Sequence, residues 1–329
     1  MSNLLDPAIL FFVLGVTAGL MKSNLEVPPA LSRFLSLYLL MALGLKGGFA
    51  LAKSGFTGEV LATLACAISL AVVVPLLGWG VLKRLLPPFD ALGVAATYGS
   101  VSAVTFVTAA HVLEQQGTPA GGHLAAAMAL MESPAILFGV GVAGAMRGRG
   151  AVVLAGDGTA ALGRPGLALG KLAREALTDG GTVLLLGALL VGLATGESGA
   201  KAMQPFTVDL FKGLLAFFLL DMGLLTARHF DGLKKLSLTL VAYGVLGPIA
   251  HSLLALLLAR VAGLSIPDAT LLAVLAASAS CIAVPAVLRT AVPEARPALY
   301  FGLSLGLTFP FNLLFGIPLY QFMANAWLS

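Results

Sequence analysis

TYGSVSAVTF, residues 97–106, lies at the centre of an apolar run from Phe89 to Leu113, and AASASCIAVP, residues 276–285, lies within one from Pro267 to Ala291. A run of about 20 apolar residues reads as a membrane-spanning helix, yet both of these carry small hydroxyl residues around a glycine or ahead of a proline. Such residues permit a break. Unpaired backbone is tolerated at membrane depth only where it lines a protein cavity, so two broken spans point to a cavity between them. The half-helix after each break exposes free N–H groups at a positive dipole end. Together with the hydroxyls of Ser102, Thr105, Ser278 and Ser280, those groups can hold a small anion without a fixed cationic side chain. The freed carbonyls of the preceding halves suit sodium. The competing reading keeps these hydroxyls as packing groups bonded to their own helices.

The rest of the chain agrees with a membrane setting. Of 329 residues, 59% are hydrophobic and 10% charged, against about 25% charged in soluble domains, and the mean hydropathy is +0.99. A soluble globule is excluded. The net charge of +4 comes from basic residues scattered between apolar runs, not clustered on a face, so no nucleic-acid partner is expected. Cys66 and Cys281 both lie in apolar stretches, which excludes a disulfide framework and a CxxC metal site. His111, His123, His229 and His251 show no metal-ligand spacing, and no GxSxG, HExxH or Walker pattern occurs, so an enzyme is not expected.

Counting apolar runs bounded by charge, Pro or Gly gives ten spans, the first from Pro7 to Met21 and the last from Arg296 to Trp327. The first run carries no leader signature and reads as retained. With ten spans, 14 of the 19 basic residues fall on one side and 4 on the other, with Lys46 inside the second span. The positive-inside rule makes the first side cytoplasmic and puts both termini outside. RGRGAVVLAGDGTAALGRPG, from Arg147, is the longest non-apolar segment and reads as a flexible cytoplasmic linker. The expected organisation is a first five-helix repeat over 1–146, a linker over 147–166 and a second repeat over 167–329. At an offset near 178 residues, Gly44 meets Gly223, Ser100 and Ser102 meet Ser278 and Ser280, and Pro119 meets Pro297. Five spans is an odd number, so the second copy inserts upside down, which is the signature of a secondary transporter with a midplane site.

Three ionisable residues, Lys46, Glu132 and Asp221, fall deep in expected spans, where such residues face the bundle interior and pair. Lys46 and Asp221 sit on repeat-equivalent helices, which predicts an ion pair, either structural or involved in coupling. Glu132 precedes Ser133 and Pro134, and the proline removes a helical hydrogen bond beside the acid. That makes Glu132 the candidate carboxylate for cation coupling, unless it lies solvated near the membrane surface.

At these residues the sequence resembles the sodium-dependent bicarbonate transporter family of cyanobacteria and other bacteria. The likeness covers nearly the whole chain and is densest in GSVSAVTF from Gly99, in FKGLLAFFLLDMG from Phe211, and in AASASCIAVPAVLRTAVPEARPALYFGLSLGLTFP from Ala276 to Pro310. The resemblance implies an all-α integral membrane protein of ten transmembrane helices in two inverted five-helix repeats, related to bile-acid symporters and often trimeric. It implies residence in the bacterial inner membrane and regulation by a PII-like protein on the cytoplasmic face. Bicarbonate and Na+ are then bound where the broken fourth and ninth helices cross. Gly99, Ser100, Ser102, Thr105, Ser278, Ser280 and Cys281 are the expected anion-binding positions. Ser102, Thr105, Ser280 and Glu132 are expected for sodium, with Glu132, Asp221 and Lys46 in coupling. Cys281 stands where the cyanobacterial pattern has an acid, and Leu225 where it has another. The alternatives are a proton-coupled carrier, a carrier of a different anion, and a non-transporting membrane scaffold or sensor.

Overall fold

The computed structural model describes residues 6–55, 57–154, 180–233, 236–281, 284–285, 287–288 and 292–328. Among these residues the structure is helical, without strands. The helices are α1 (Pro7–Leu20), α2 (Pro29–Ser54), α3 (Gly58–Leu82), α4 (Pro88–Gly99), α5 (Ala103–Gln115) and α6 (His123–Leu154). They continue with α7 (Gly180–Ala202), α8 (Leu210–Leu233, after a π-helical turn at Pro205–Asp209), α9 (Leu238–Ala262) and α10 (Ile266–Ala277). The last, α11 (Pro297–Leu328), mixes α and π turns.

The starts follow from local chemistry. Proline occupies the first turn of α1, α2, α4, α10 and α11, where its missing N–H has no intrahelical partner to lose. Asp6, Thr57 and Ser237 cap α1, α3 and α9 by accepting backbone N–H bonds. At the far end of α9, Gly263 adopts a left-handed φ of 69°, which lets the Leu264 N–H close onto the Ala259 carbonyl at 3.0 Å.

Among the described residues, eight helical segments are long and apolar enough to cross a membrane, with α4 and α5 together forming one of them, and two shorter apolar helices, α1 and α10, accompany them. The protein is a multi-pass membrane protein. α6 runs on to Leu154, past the point at residue 147 where the linker was expected to begin. Arg147, at that point, donates from Nε and Nη2 to the Glu294 carboxylate at 2.8 and 2.6 Å. Residues 155–166 of that linker, the first part of the expected sixth span and Ser329 lie outside the described residues.

Two groups of helices position the site. In one, α2 lies along α7 and α1 along α8. Both pairs close on glycine, for a Cβ on Gly48 would lie 2.8 Å from Gly192 Cα, and one on Gly223 would lie 3.0 Å from Gly15 Cα. Small residues let helices approach where lipid offers no hydrophobic drive for association. In the other group α3 packs on α4 and α6, and α9 on α10 and α11.

Candidate functional site

Between Gly99 and Ala103, and again after Ala277, the helices stop and the backbone extends: ψ is 178° at Ser100 and 164° at Ser278. The two interruptions meet. The Ser102 N–H donates to Ser278 Oγ at 2.9 Å, and the Ser280 N–H donates to the Thr97 carbonyl at 2.9 Å. Each break therefore supplies a partner for a backbone group that the other has freed, as buried backbone requires. Ser278 Oγ in turn donates to the Leu275 carbonyl at 2.8 Å. The last carbonyl of α10, on Ala277, accepts from Asn312 Nδ2 at 2.9 Å, and Tyr320 OH holds the other end of that amide by donating to Asn312 Oδ1 at 2.7 Å.

The segments leaving the crossing begin with serine caps. Ser102 Oγ accepts from the Thr105 N–H at 3.3 Å and Ser280 Oγ from the Val284 N–H at 3.3 Å. The N-terminal end of α5 thus faces the crossing, which favours negative charge there. Gly99 has a packing role, since a Cβ at that position would stand 2.5 to 2.8 Å from the ring carbons of Pro75, the proline within α3.

A cavity of about 910 Å³ reaches the crossing. Ser102, Ser280 and Cys281 lie at its wall together with Glu132 of α6 and Asp221 of α8, and Glu26, Arg33, Arg228 and His229 also line it. The cavity therefore brings together five of the expected residues. Gly99, Ser100, Thr105 and Ser278 lie in the crossing but not on the cavity wall. The hydroxyls of Ser100 and Thr105 are buried with no hydrogen-bond partner among the described residues.

Lys46 overturns one expectation. It does not pair with Asp221: its ammonium sits 2.9 and 3.2 Å from the two carboxylate oxygens of Glu114 and 4.5 Å from the centre of the Phe211 ring, away from the cavity wall. Glu114 closes α5 at the opposite end from the break, and a long, flexible ammonium takes the half-exposed acid it can reach without desolvation. Asp221 instead lines the cavity together with Ser32 and Arg228.

Two acids missed in the sequence tie the broken helices to their surroundings. Asp90, in the first turn of α4, accepts from the Arg296 N–H at 2.8 Å and from its Nε at 2.9 Å. Asp268, in the first turn of α10, accepts from the Gly121 N–H at 2.6 Å and lies 3.4 Å from His123 Nε2. The signal for them was present, since Asp90 and Asp268 are separated by the same 178 residues as the paired serines. Asn312 had no such signal.

Apolar spanning helices, two broken helices that meet, and a cavity ending on their caps fit a membrane transporter. Comparison with known proteins agrees with that class: a family description, the Na+-dependent bicarbonate transporter superfamily, matches residues 7–325. The chain belongs to that superfamily, a family of transporters. No curated protein matches the chain.

Proposed function

We propose that this protein is a secondary transporter that moves bicarbonate together with Na+, the anion resting on the serine caps where α4–α5 crosses the α10 segment. The observation that carries the reading is the cavity of about 910 Å³ whose wall includes Ser102, Ser280 and Cys281. A monovalent oxyanion placed there accepts from serine hydroxyls and from the dipole ends of the two segments. Glu132, on the same cavity, supplies negative charge for Na+. Ser102 and Ser280 stand with it, and Thr105 stands one turn behind.

The reading includes two inverted repeats. It is supported by reciprocal features: α1 packs on α8 as α7 packs on α2, and Asp90 and Asp268 each anchor the first turn of a broken helix to the chain just before, or at, the start of the last long helix of the other half. Both termini then lie outside the cytoplasm.

Uptake of radiolabelled bicarbonate into proteoliposomes tests this. An inward Na+ gradient should drive accumulation, and choline substitution should abolish it. Ser102→Ala and Ser280→Ala each remove one hydrogen bond to a charged group, about 1.5 to 3 kcal/mol, so the apparent affinity should fall roughly tenfold to hundredfold. Glu132→Gln should weaken sodium dependence far more than expression. Accumulation that follows a proton gradient and ignores Na+ would refute the coupling.

A further inference from the structure

We propose that Thr308 and Asn312 of α11 are positioning residues for the transported anion: they hold the ends of the two broken helices in register and act on the anion through the serine caps, without touching it. The role rests on the anion site proposed above. Neither residue lines the cavity. Both are buried in an apolar stretch of α11, LSLGLTFPFNLLFG from Leu303, where a polar side chain is costly unless it is hydrogen-bonded.

Each reaches a different break. Thr308 Oγ1 donates its one proton to the Gly244 carbonyl at 2.7 Å, so the buried Tyr98 OH, 2.5 Å away, donates to Thr308. Tyr98 stands beside Gly99, the last residue of α4. Asn312 Nδ2 donates to the carbonyl of Ala277, the last residue of α10, at 2.9 Å. Residues four apart are neighbours on one face of a helix, so one face of α11 braces both helix ends. The π turns Gly302–Thr308 and Asn312–Gly316 end and begin at these two residues, and such turns are frequent at functional sites.

The amide is itself aimed. Tyr320 OH donates to Asn312 Oδ1 at 2.7 Å, which fixes the end of the amide that faces Ala277. A Cβ on Gly316 would lie 2.6 Å from that Oδ1 and 3.0 Å from the Tyr320 ring, so glycine there leaves the amide its place. From Ala277 the hold passes to the next residue: Ser278 Oγ accepts from the N–H of Ser102, and Ser102 is on the cavity wall. A binding side chain is held in productive geometry by bonded groups behind it.

The test is bicarbonate uptake into proteoliposomes, read as half-saturating concentration and maximal rate, beside thermal unfolding of the ligand-free full chain. Asn312→Leu and Thr308→Val nearly keep the volume and remove the hydrogen bonds. Each should raise the half-saturating concentration about tenfold, and Thr308→Ser, which keeps the hydroxyl, should retain the wild-type value. Gly316→Ala should reproduce Asn312→Leu. Thr270→Val is the control: its hydroxyl is equally buried on α10 but bonds within its own helix, to the Ile266 carbonyl at 2.8 Å. Losing it should lower the unfolding temperature and leave half-saturation unchanged. Asn312→Leu combined with Ser278→Ala should cost little more affinity than the worse single variant, because both act on one break. Wild-type half-saturation in Asn312→Leu and Thr308→Val, or an equal rise in Thr270→Val, would overturn the role. If neither variant folds, wild-type half-saturation in Tyr320→Phe overturns it. If the wild-type protein takes up no bicarbonate, the transport reading fails alone. The brace is then decided by unfolding of Asn312→Leu, Ser278→Ala and their double variant, where non-additive losses support it and additive losses overturn it.

Discussion

Ser278 and Ser100 are both small hydroxyls buried in the crossing, and the structure separates them. Ser278 is wholly buried, and its Oγ is the acceptor for the Ser102 N–H. Ser278→Ala leaves that N–H buried without a partner, which costs about 1 to 3 kcal/mol. The donor side adds little, because the Leu275 carbonyl keeps the Ser278 N–H at 3.2 Å. Ser100 Oγ has no partner to lose, so Ser100→Ala removes a buried polar atom and should be neutral or slightly stabilising in the ligand-free protein. The assay is unfolding of the reconstituted protein in mixed micelles by titration with a denaturing detergent, comparing the two variants with wild type. A double variant Ser278→Ala, Ser102→Ala should cost no more than about 1 kcal/mol beyond Ser278→Ala, since it adds the loss of the cap on the Thr105 N–H. Equal destabilisation by Ser100→Ala and Ser278→Ala, or a Ser278→Ala protein within about 0.5 kcal/mol of wild type, would refute the assignment of the crossing to that hydrogen bond.

Three further outcomes are expected. In a background lacking Cys66 and Cys281, an impermeant thiol reagent on intact cells should label Thr118→Cys and spare Asn24→Cys, both at exposed loop positions; the reverse pattern would invert the topology. Lys46→Met should cost no more than about 1 kcal/mol, the scale of a solvent-accessible ion pair, and should leave the sodium dependence of uptake unchanged; a loss of several kcal/mol would restore a buried role for Lys46. Outside the spans, the hydrogen bond from Arg147 holds the Glu294 carboxyl down at about 2. A group with a depressed folded value contributes stability above its unfolded value of roughly 4.3 and loses it as pH falls through the folded one. The stability difference between wild type and Glu294→Gln should therefore be flat from neutral pH to about 5 and shrink only between about 4 and 2; a change between pH 6 and 8 would contradict the pairing.

Much of this molecule was legible before any coordinates. Hydropathy placed most of the described helix starts to within a few residues, because a backbone in lipid must satisfy its own hydrogen bonds and so writes each span as a contiguous apolar run. The serines of the two breaks were legible for the complementary reason: hydroxyl residues at mid-span stand out where everything around them is apolar. What the chain could not show was which groups meet. Lys46 and Asp221 looked like partners because both are costly in lipid. The fold carries Lys46 to the end of α5 at Glu114 and leaves Asp221 on the cavity with Ser32. Contacts across 68 or 176 residues of chain depend on how helices cross, and periodicity along one helix carries no information about that. Asn312 illustrates the same limit. An amide at mid-helix is unremarkable in sequence, and only the packing of α11 against the end of α10 turns it into the partner of the Ala277 carbonyl, a group that a broken helix in lipid cannot leave without one.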